Sequence, residues 1–256
     1  MKIHFKSLIE PSREHKLPGA GNHAGEVHVW SHAIHFDDPF LKEAPYLLSE
    51  NELHRASKYH FEKDKRVYES GHVFIRKVLA HYTSVKPAKL DLSPVVNQKP
   101  VLENAPFRIH FNISHSGARI LIAVGFTSDV GIDVEKIIPD FDTDGFSESN
   151  YHPNEQAHLQ MLKGEDETDY FYCIWTRKEA WLKLTGEGIN EHLKELDFSG
   201  KEGKTSGINP HGHHELYMVS WKETPEYMAT LASHVPPEKV RFFSSDRLAE
   251  NFEMPE

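Results

Sequence analysis

The sequence predicts an α+β protein of two small units, and three observations predict it. Strand-like runs fall into two groups, one at 107–137 and one beyond residue 193. Each group goes with a long stretch whose apolar residues recur at helical spacing. Turns containing Gly and Pro separate the pieces. Helices plus several short strands in each half are the pattern of two α+β units, 1–128 and 129–256, without a residue-level repeat between them.

In the first half, "EVHVWSHAIHF" (26–36) alternates as a strand. Ser49 followed by Glu52 is a capping-box signature for a helix through about Tyr59. Val67, Phe74, Ile75, Val78, Leu79 and Tyr82 then mark a long amphipathic helix, in which Gly71 is either a weak point or a close packing contact. "FRIHFNIS", "ARILIAVGF" and "DVGIDVEKI" read as three strands joined as hairpins. In the second half, Pro153 suits the first turn of a helix reaching about Leu162. "TDYFYCIWTRKEAWLKLTG" predicts a long helix stopped by Gly186. Strands are expected at "LKELDFS", "HELYMVSW", "EYMATLASH" and "KVRFF".

At 256 residues, 38% hydrophobic and 27% charged, the chain has an ordinary globular composition. The net charge of −10 argues against a general nucleic-acid binder, which needs a basic surface, but allows a phosphorylated small molecule in a locally basic pocket. No apolar run spans a bilayer and the N-terminus lacks a signal-peptide core, so a cytoplasmic protein without a membrane segment is expected. The single cysteine, Cys173, lies in an apolar helical stretch and is read as packing. "HGHH" (211–214) lacks a partner pattern for zinc and is read as a solvated turn. "PGAGNHAG" (18–25) and "GEGIN" (186–190) are loops without the context of a phosphate-binding motif.

Three stretches carry chemistry. In "GIDVEKI" (131–137), Asp133 and Glu135 are two apart on a strand and share a face, so their charges repel unless solvent or a hard divalent cation intervenes. In "WTRKEAWLK" (175–183), Glu179 and Lys183 are four apart on one helix face with Lys178 beside them as a further cation; an ordinary surface ion pair is the bland alternative. In "FNISHSG" (111–117), a strand ends in a turn where Ser114, His115, Ser116 and backbone amides can hold a phosphate, and Lys99 in "NQKP" stands just upstream. Together they offer carboxylates for a metal, cations for phosphates and donors for anionic oxygens, as a nucleotide-like pyrophosphate requires.

The order and spacing of "NQKP", "FNISHS", "GIDVE" and "WTRKEAWLK", with "LSENELHRASKYHF" and "IRKVL" upstream, resemble the Sfp-type 4′-phosphopantetheinyl transferases over roughly residues 26–200. The resemblance implies transfer of the phosphopantetheine arm of coenzyme A to a serine of an apo acyl- or peptidyl-carrier protein, releasing adenosine 3′,5′-bisphosphate. It implies a monomer of two similar α/β halves related by a pseudo-twofold axis. By matching position, Asp133, Glu135 and Glu179 would hold Mg²⁺, Lys183 would contact a phosphate, and Lys99, Ser114 and His115 would receive the 3′-phosphate side of coenzyme A. Glu155 matches an acidic position and, with Glu179, is a candidate base. The family's glycine before the lysine is Gln98 here, and where relatives carry an arginine this chain has Val67, leaving Arg66 or Lys65 as the adenine-side cation. A coenzyme A or carrier-binding module without chemistry and a metal-dependent phosphohydrolase are the rivals. The first would be free to lose the carboxylates, and the second would turn over without a carrier.

The turn "GFSESNYH" (145–152), next to the metal strand, is expected to expose Phe146 and Tyr151 as an apolar anchor for the carrier.

Overall fold

The computed structural model describes residues 8–9, 11–14, 16–18, 23–94, 100–139, 141–187, 191–199, 205–209 and 212–249. The first half contains β1 (Leu8–Ile9), β2 (Glu26–Ala33), α1 (Phe40–Leu47), α2 (Glu50–Ala56), α3 (Glu62–Thr83), β3 (Leu92–Pro94), β4 (Pro100–Leu102), β5 (His110–Ser116) and β6 (Arg119–Gly125). The second contains β7 (Val130–Lys136), α4 (Thr143–Asn150), α5 (Pro153–Leu159), α6 (Glu165–Thr185), β8 (Thr205–Asn209), β9 (Gly212–Thr224), β10 (Tyr227–Ser233), β11 (Lys239–Ser244) and α7 (Asp246–Ala249).

The two halves repeat one plan: a strand, a long helix, then an antiparallel hairpin whose last strand inserts in the middle. In the first, β6 lies between β2 and β5 and α3 packs on the sheet; in the second, β10 lies between β7 and β9 and α6 packs on it. The outer edge of each sheet is closed by a strand from the far end of the chain, with β11 parallel to β2 and β1 parallel to β9. The chain ends thus tie the halves together, each supplying the outermost strand of the other half's sheet.

Apolar alternation explains the three cores. One face of the first sheet (Trp30, Ile120, Ile122, Phe243) packs on α1 and α3 through Phe40, Phe74 and Val78. The equivalent face of the second packs on α6 through Phe171, Ile174 and Trp181. The remaining faces, with Val29, Leu121, Ile132, Val134, Trp221 and Leu231, meet each other between the halves. Helix-to-sheet distance is set by small residues: at Gly131 an added Cβ would lie 2.0 Å from the Ala180 carbonyl oxygen, so only glycine lets α6 cross β7 there. Gly71 is likewise a close contact, with a Cβ meeting Ile120 Cδ1 at 3.2 Å.

The capping box at Ser49 and Glu52 is present, and both long helices occur where the spacing places them, α6 ending on Gly186 in the left-handed region. Other expectations are corrected. β6 and β7 do not form a hairpin; β7 crosses into the other sheet and pairs with β10. "LKELDFS" is not a strand, because 191–195 form a 3₁₀ turn. The segment 145–152 is not a turn but mostly α4, capped by the Asp142 carboxylate accepting from Gly145 N–H at 3.1 Å. Gly212, His213 and His214 of "HGHH" lie in strand β9, paired with β8, and His211 lies outside the described residues. Residues 19–22 and 188–190 of the two loop motifs lie outside them as well.

Candidate active site

The seam between the halves is stitched by side chains of β5 standing in for a strand partner. Asn112 Oδ1 accepts from Ile132 N–H at 2.9 Å, Ser114 Oγ from Val134 N–H at 3.2 Å and Ser116 Oγ from Lys136 N–H at 3.0 Å. The period of two puts all three on one face of β5, and the same period along β7 answers them. The hydroxyls also donate outward: Ser114 to Asp133 Oδ1 at 2.8 Å and Ser116 to Glu135 Oε2 at 2.8 Å. The "FNISHS" and "GIDVE" stretches are therefore two sides of one ladder.

α6 lays Glu179 and Lys183 over this ladder at the height that Gly131 fixes. Lys183 Nζ donates to Asp133 Oδ1 at 2.6 Å and to Ser114 Oγ at 2.8 Å. Asp133 Oδ2 and Glu179 Oε1 are buried without a hydrogen-bond partner among the described residues. A buried, unpaired carboxylate oxygen is costly, and two of them from residues that the site brings together call for a cation. The electrostatics agree. Burial, then the Asp133 charge, push the Glu179 carboxyl up to about 7, and the same two causes raise Glu135. Three carboxylates offer the hard oxygens that Mg²⁺ prefers, although among the described residues their ligand atoms are not drawn together within 4.8 Å of one another.

Next to this cluster a cavity of about 520 Å³ runs between α3 and β5, lined by Arg55, Tyr68, His72, Ile113, His115 and Ser116. A second of about 550 Å³ shares Arg55, Tyr68, His72 and Ile113 with it and extends to Arg76 and Pro100. These volumes suit a nucleotide. The cavity walls and then the Lys183 ammonium hold the His115 pKa below its ordinary value, so His115 is a neutral donor or acceptor at neutral pH.

Three expected residues stand elsewhere. Glu155 and Lys178 form an ion pair of 2.9 Å with both side chains 0% exposed. Glu155 also accepts from the N–H groups of His152 and Phe198, and Lys178 donates to the carbonyls of Leu193 and Leu196. Every polar atom of the pair is committed to joining α5, α6 and the following 3₁₀ turn, so neither a base at 155 nor a coenzyme contact at 178 fits this placement. Arg66 donates to the Phe36 carbonyl at 2.9 Å and stacks over the Phe36 ring, and it does not line the cavity. The cation that does is Arg55. It went unread because it lies one helix earlier, in "NELHRASK", where it resembles any exposed basic residue. Lys99 lies outside the described residues.

Comparison with known proteins finds a family for the chain. Residues 129–234 match the family model described as 4′-phosphopantetheinyl transferase superfamily, and residues 38–126 match 4′-phosphopantetheinyl transferase, N-terminal. The chain is 32% identical to the 4′-phosphopantetheinyl transferase HetI of Nostoc sp. over 68% of its own length and 74% of the relative's. It is 33% identical to a 4′-phosphopantetheinyl transferase of Bacillus subtilis over 69% and 77% of the two chains. It is also 26% identical to the Bacillus subtilis 4′-phosphopantetheinyl transferase Sfp over 85% and 98%.

Proposed function

The chain belongs to the 4′-phosphopantetheinyl transferase superfamily, and from that premise we propose how its residues divide the work of moving the 4′-phosphopantetheine arm of coenzyme A to a carrier-protein serine. The observation that carries the reading is the convergence of Lys183 and Ser114 on Asp133 across the seam, with one oxygen each of Asp133 and Glu179 buried and without a partner among the described residues.

Asp133, Glu135 and Glu179 would hold Mg²⁺, which when bound neutralises charge on the pyrophosphate. The chain's own residues do the rest. Arg55, His115 and Lys99 receive the 3′-phosphate end of coenzyme A, with the adenosine in the α3–β5 cavity. Lys183 turns from Asp133 to a phosphate oxygen once the pyrophosphate arrives, and stabilises the leaving group. The carrier serine oxygen forms a bond to the β-phosphorus, the bond from that phosphorus to the bridging oxygen breaks, and adenosine 3′,5′-bisphosphate departs. Glu179, directly or through a water, takes the serine proton.

The same reading takes 1–128 and 129–256 as the two halves of a monomer, a division supported by the strand–helix–hairpin repeat. It places the protein in the cytoplasm, acting on an apo acyl- or peptidyl-carrier protein and on neither nucleic acid nor membrane. Among the described residues no helix is long and apolar enough to cross a membrane. The test is mass spectrometry of a panel of apo-carriers incubated with the protein, coenzyme A and Mg²⁺. One carrier should gain one phosphopantetheine mass with wild type and none with Asp133→Ala. Labelling that Asp133→Ala leaves intact would overturn the residue assignment.

A further inference from the structure

On the far side of the first half, away from α6, a second group of metal-ligating atoms converges. His23 Nδ1 is 3.5 Å from Glu26 Oε2, His28 Nε2 is 2.7 Å from the same oxygen, and the ligand atoms of all three residues lie within 4.8 Å of one another. We propose that His23, Glu26 and His28 form a zinc site that ties the segment entering β2 to the strand itself.

Donor chemistry selects the ion. Two imidazole nitrogens and one carboxylate oxygen are a borderline-soft set that suits Zn²⁺, whereas the all-carboxylate set on β7 and α6 suits a hard ion. Tetrahedral coordination with bonds of about 2.0–2.1 Å spaces ligand atoms roughly 3.3 Å apart, a spacing close to that of the 3.5 Å pair, while the 2.7 Å pair must open and the ligand nitrogens of His23 and His28 lie within 4.8 Å of each other. His28 is fully buried. Its orientation is fixed from behind. His28 Nδ1 is 2.7 Å from the Tyr82 hydroxyl, whose oxygen also accepts from Trp30 Nε1 at 2.8 Å. With the ring proton on Nδ1 and directed at the second Tyr82 lone pair, Nε2 faces the metal position, the usual outer-sphere arrangement of a ligating histidine.

The surroundings suit an enclosed site with one open side. Phe126 meets His28 edge-on at 5.0 Å and Phe243 lies tilted against it at 5.2 Å, and together they exclude water from its ring. Glu26 is a quarter exposed and opens an entry path and a fourth position for water. Among the described residues, Arg241 lies 3.7 Å from Glu26 but is itself engaged by Glu14 at 3.0 Å.

The experiment is a zinc titration of the chelator-treated full chain in saturating Mg²⁺, by calorimetry and, with Co²⁺ in place of zinc, by the visible absorption of a tetrahedral site. Wild type and Asp133→Ala should each show one tight equivalent with the tetrahedral band. His23→Ala and Glu26→Gln, both at partly exposed positions, should lose that equivalent and the band while keeping the wild-type melting temperature without metal. Zinc should raise the melting temperature of wild type and not of these two variants. If His23→Ala and Glu26→Gln retain the equivalent, or only Asp133→Ala loses it, the site is elsewhere and the proposal fails.

Discussion

Ser114 Oγ lies 2.8 Å from Asp133 Oδ1 while accepting hydrogen bonds from Val134 N–H and Lys183 Nζ, so one hydroxyl both joins the halves and aims a carboxylate. Its removal separates aim from presence. Ser114→Ala leaves all three carboxylates in place but frees Asp133 to rotate, and loss of such a positioning partner typically costs about 10–100-fold in activity or metal affinity. The Mg²⁺ concentration for half-maximal transfer should rise, and added Mg²⁺ should recover part of the rate. An unchanged Mg²⁺ dependence would show that the hydroxyl only holds the seam.

Glu179 makes metal-free stability depend on pH. Its carboxyl is raised from 4.5 to about 7, so the folded state holds the proton more tightly than the unfolded one. The sign follows: this group's contribution falls as pH climbs from about 4.5 through about 7 and is flat outside that window. Glu179→Gln should abolish that component and be the more stable protein above the window, although transfer is lost. Urea midpoints across the window, with and without Mg²⁺, check this. Bound Mg²⁺ should flatten the wild-type curve. A fall of equal size in Glu179→Gln would assign the dependence to another group.

Where sequence pattern and local geometry coincide, the site was legible. Alternation along "GIDVE" and the four-residue step from Glu179 to Lys183 depend only on strand and helix periods, and both place those residues where they stand. α1 escaped because Pro45 sits inside it, and α4 because "DGFSESN" has turn composition; each is held by tertiary contacts, α4 through Phe146 against Phe171 and Trp175. Glu155 was misplaced for a related reason. Its helix spacing is as compatible with a buried capping box as with a catalytic face, and only the packing of α5 on α6 decides. The parallel pairing of β11 with β2 joins chain ends more than 200 residues apart, beyond any local signal.

The Glu155–Lys178 pair should behave as structure rather than chemistry. Removing one partner strands a buried charge, a change that costs about 3–5 kcal/mol. Glu155→Gln should therefore lower the melting temperature sharply while the folded fraction keeps a near-normal turnover number. Normal stability with a collapsed turnover number would return Glu155 to the reacting centre.

Recognition of the 3′-phosphate should rest more on Arg55 than on His115, because His115 is held neutral and Arg55 carries the charge in the cavity. Charge-assisted hydrogen bonds are worth about 1.5–3 kcal/mol, so dephospho-coenzyme A should bind about that much more weakly than coenzyme A. Arg55→Ala should erase most of the difference and His115→Ala a smaller part, as read by calorimetry. Equal affinities for both ligands in wild type would remove the phosphate from this cavity.

The carrier contact must work against charge, since the chain stands at −10 and an acidic carrier would gain nothing from long-range steering. An apolar anchor beside the metal strand is the alternative, and its position differs from the sequence expectation. Tyr151 is fully buried with its hydroxyl donating to the Phe171 carbonyl, and Phe146 is half-buried between Phe141, Phe171 and Trp175. The exposed apolar groups next to β7 are instead Ile138, 53% exposed, and Phe141, 37% exposed. Replacing both by alanine should raise KM for the carrier several-fold, leave KM for coenzyme A unchanged and show little dependence on salt, because burial of apolar surface is not screened. Phe146→Ala should chiefly lower stability, by loosening α4 from α6. A carrier KM indifferent to Ile138 and Phe141 but rising steeply with ionic strength would place recognition on exposed cations such as Lys136 instead.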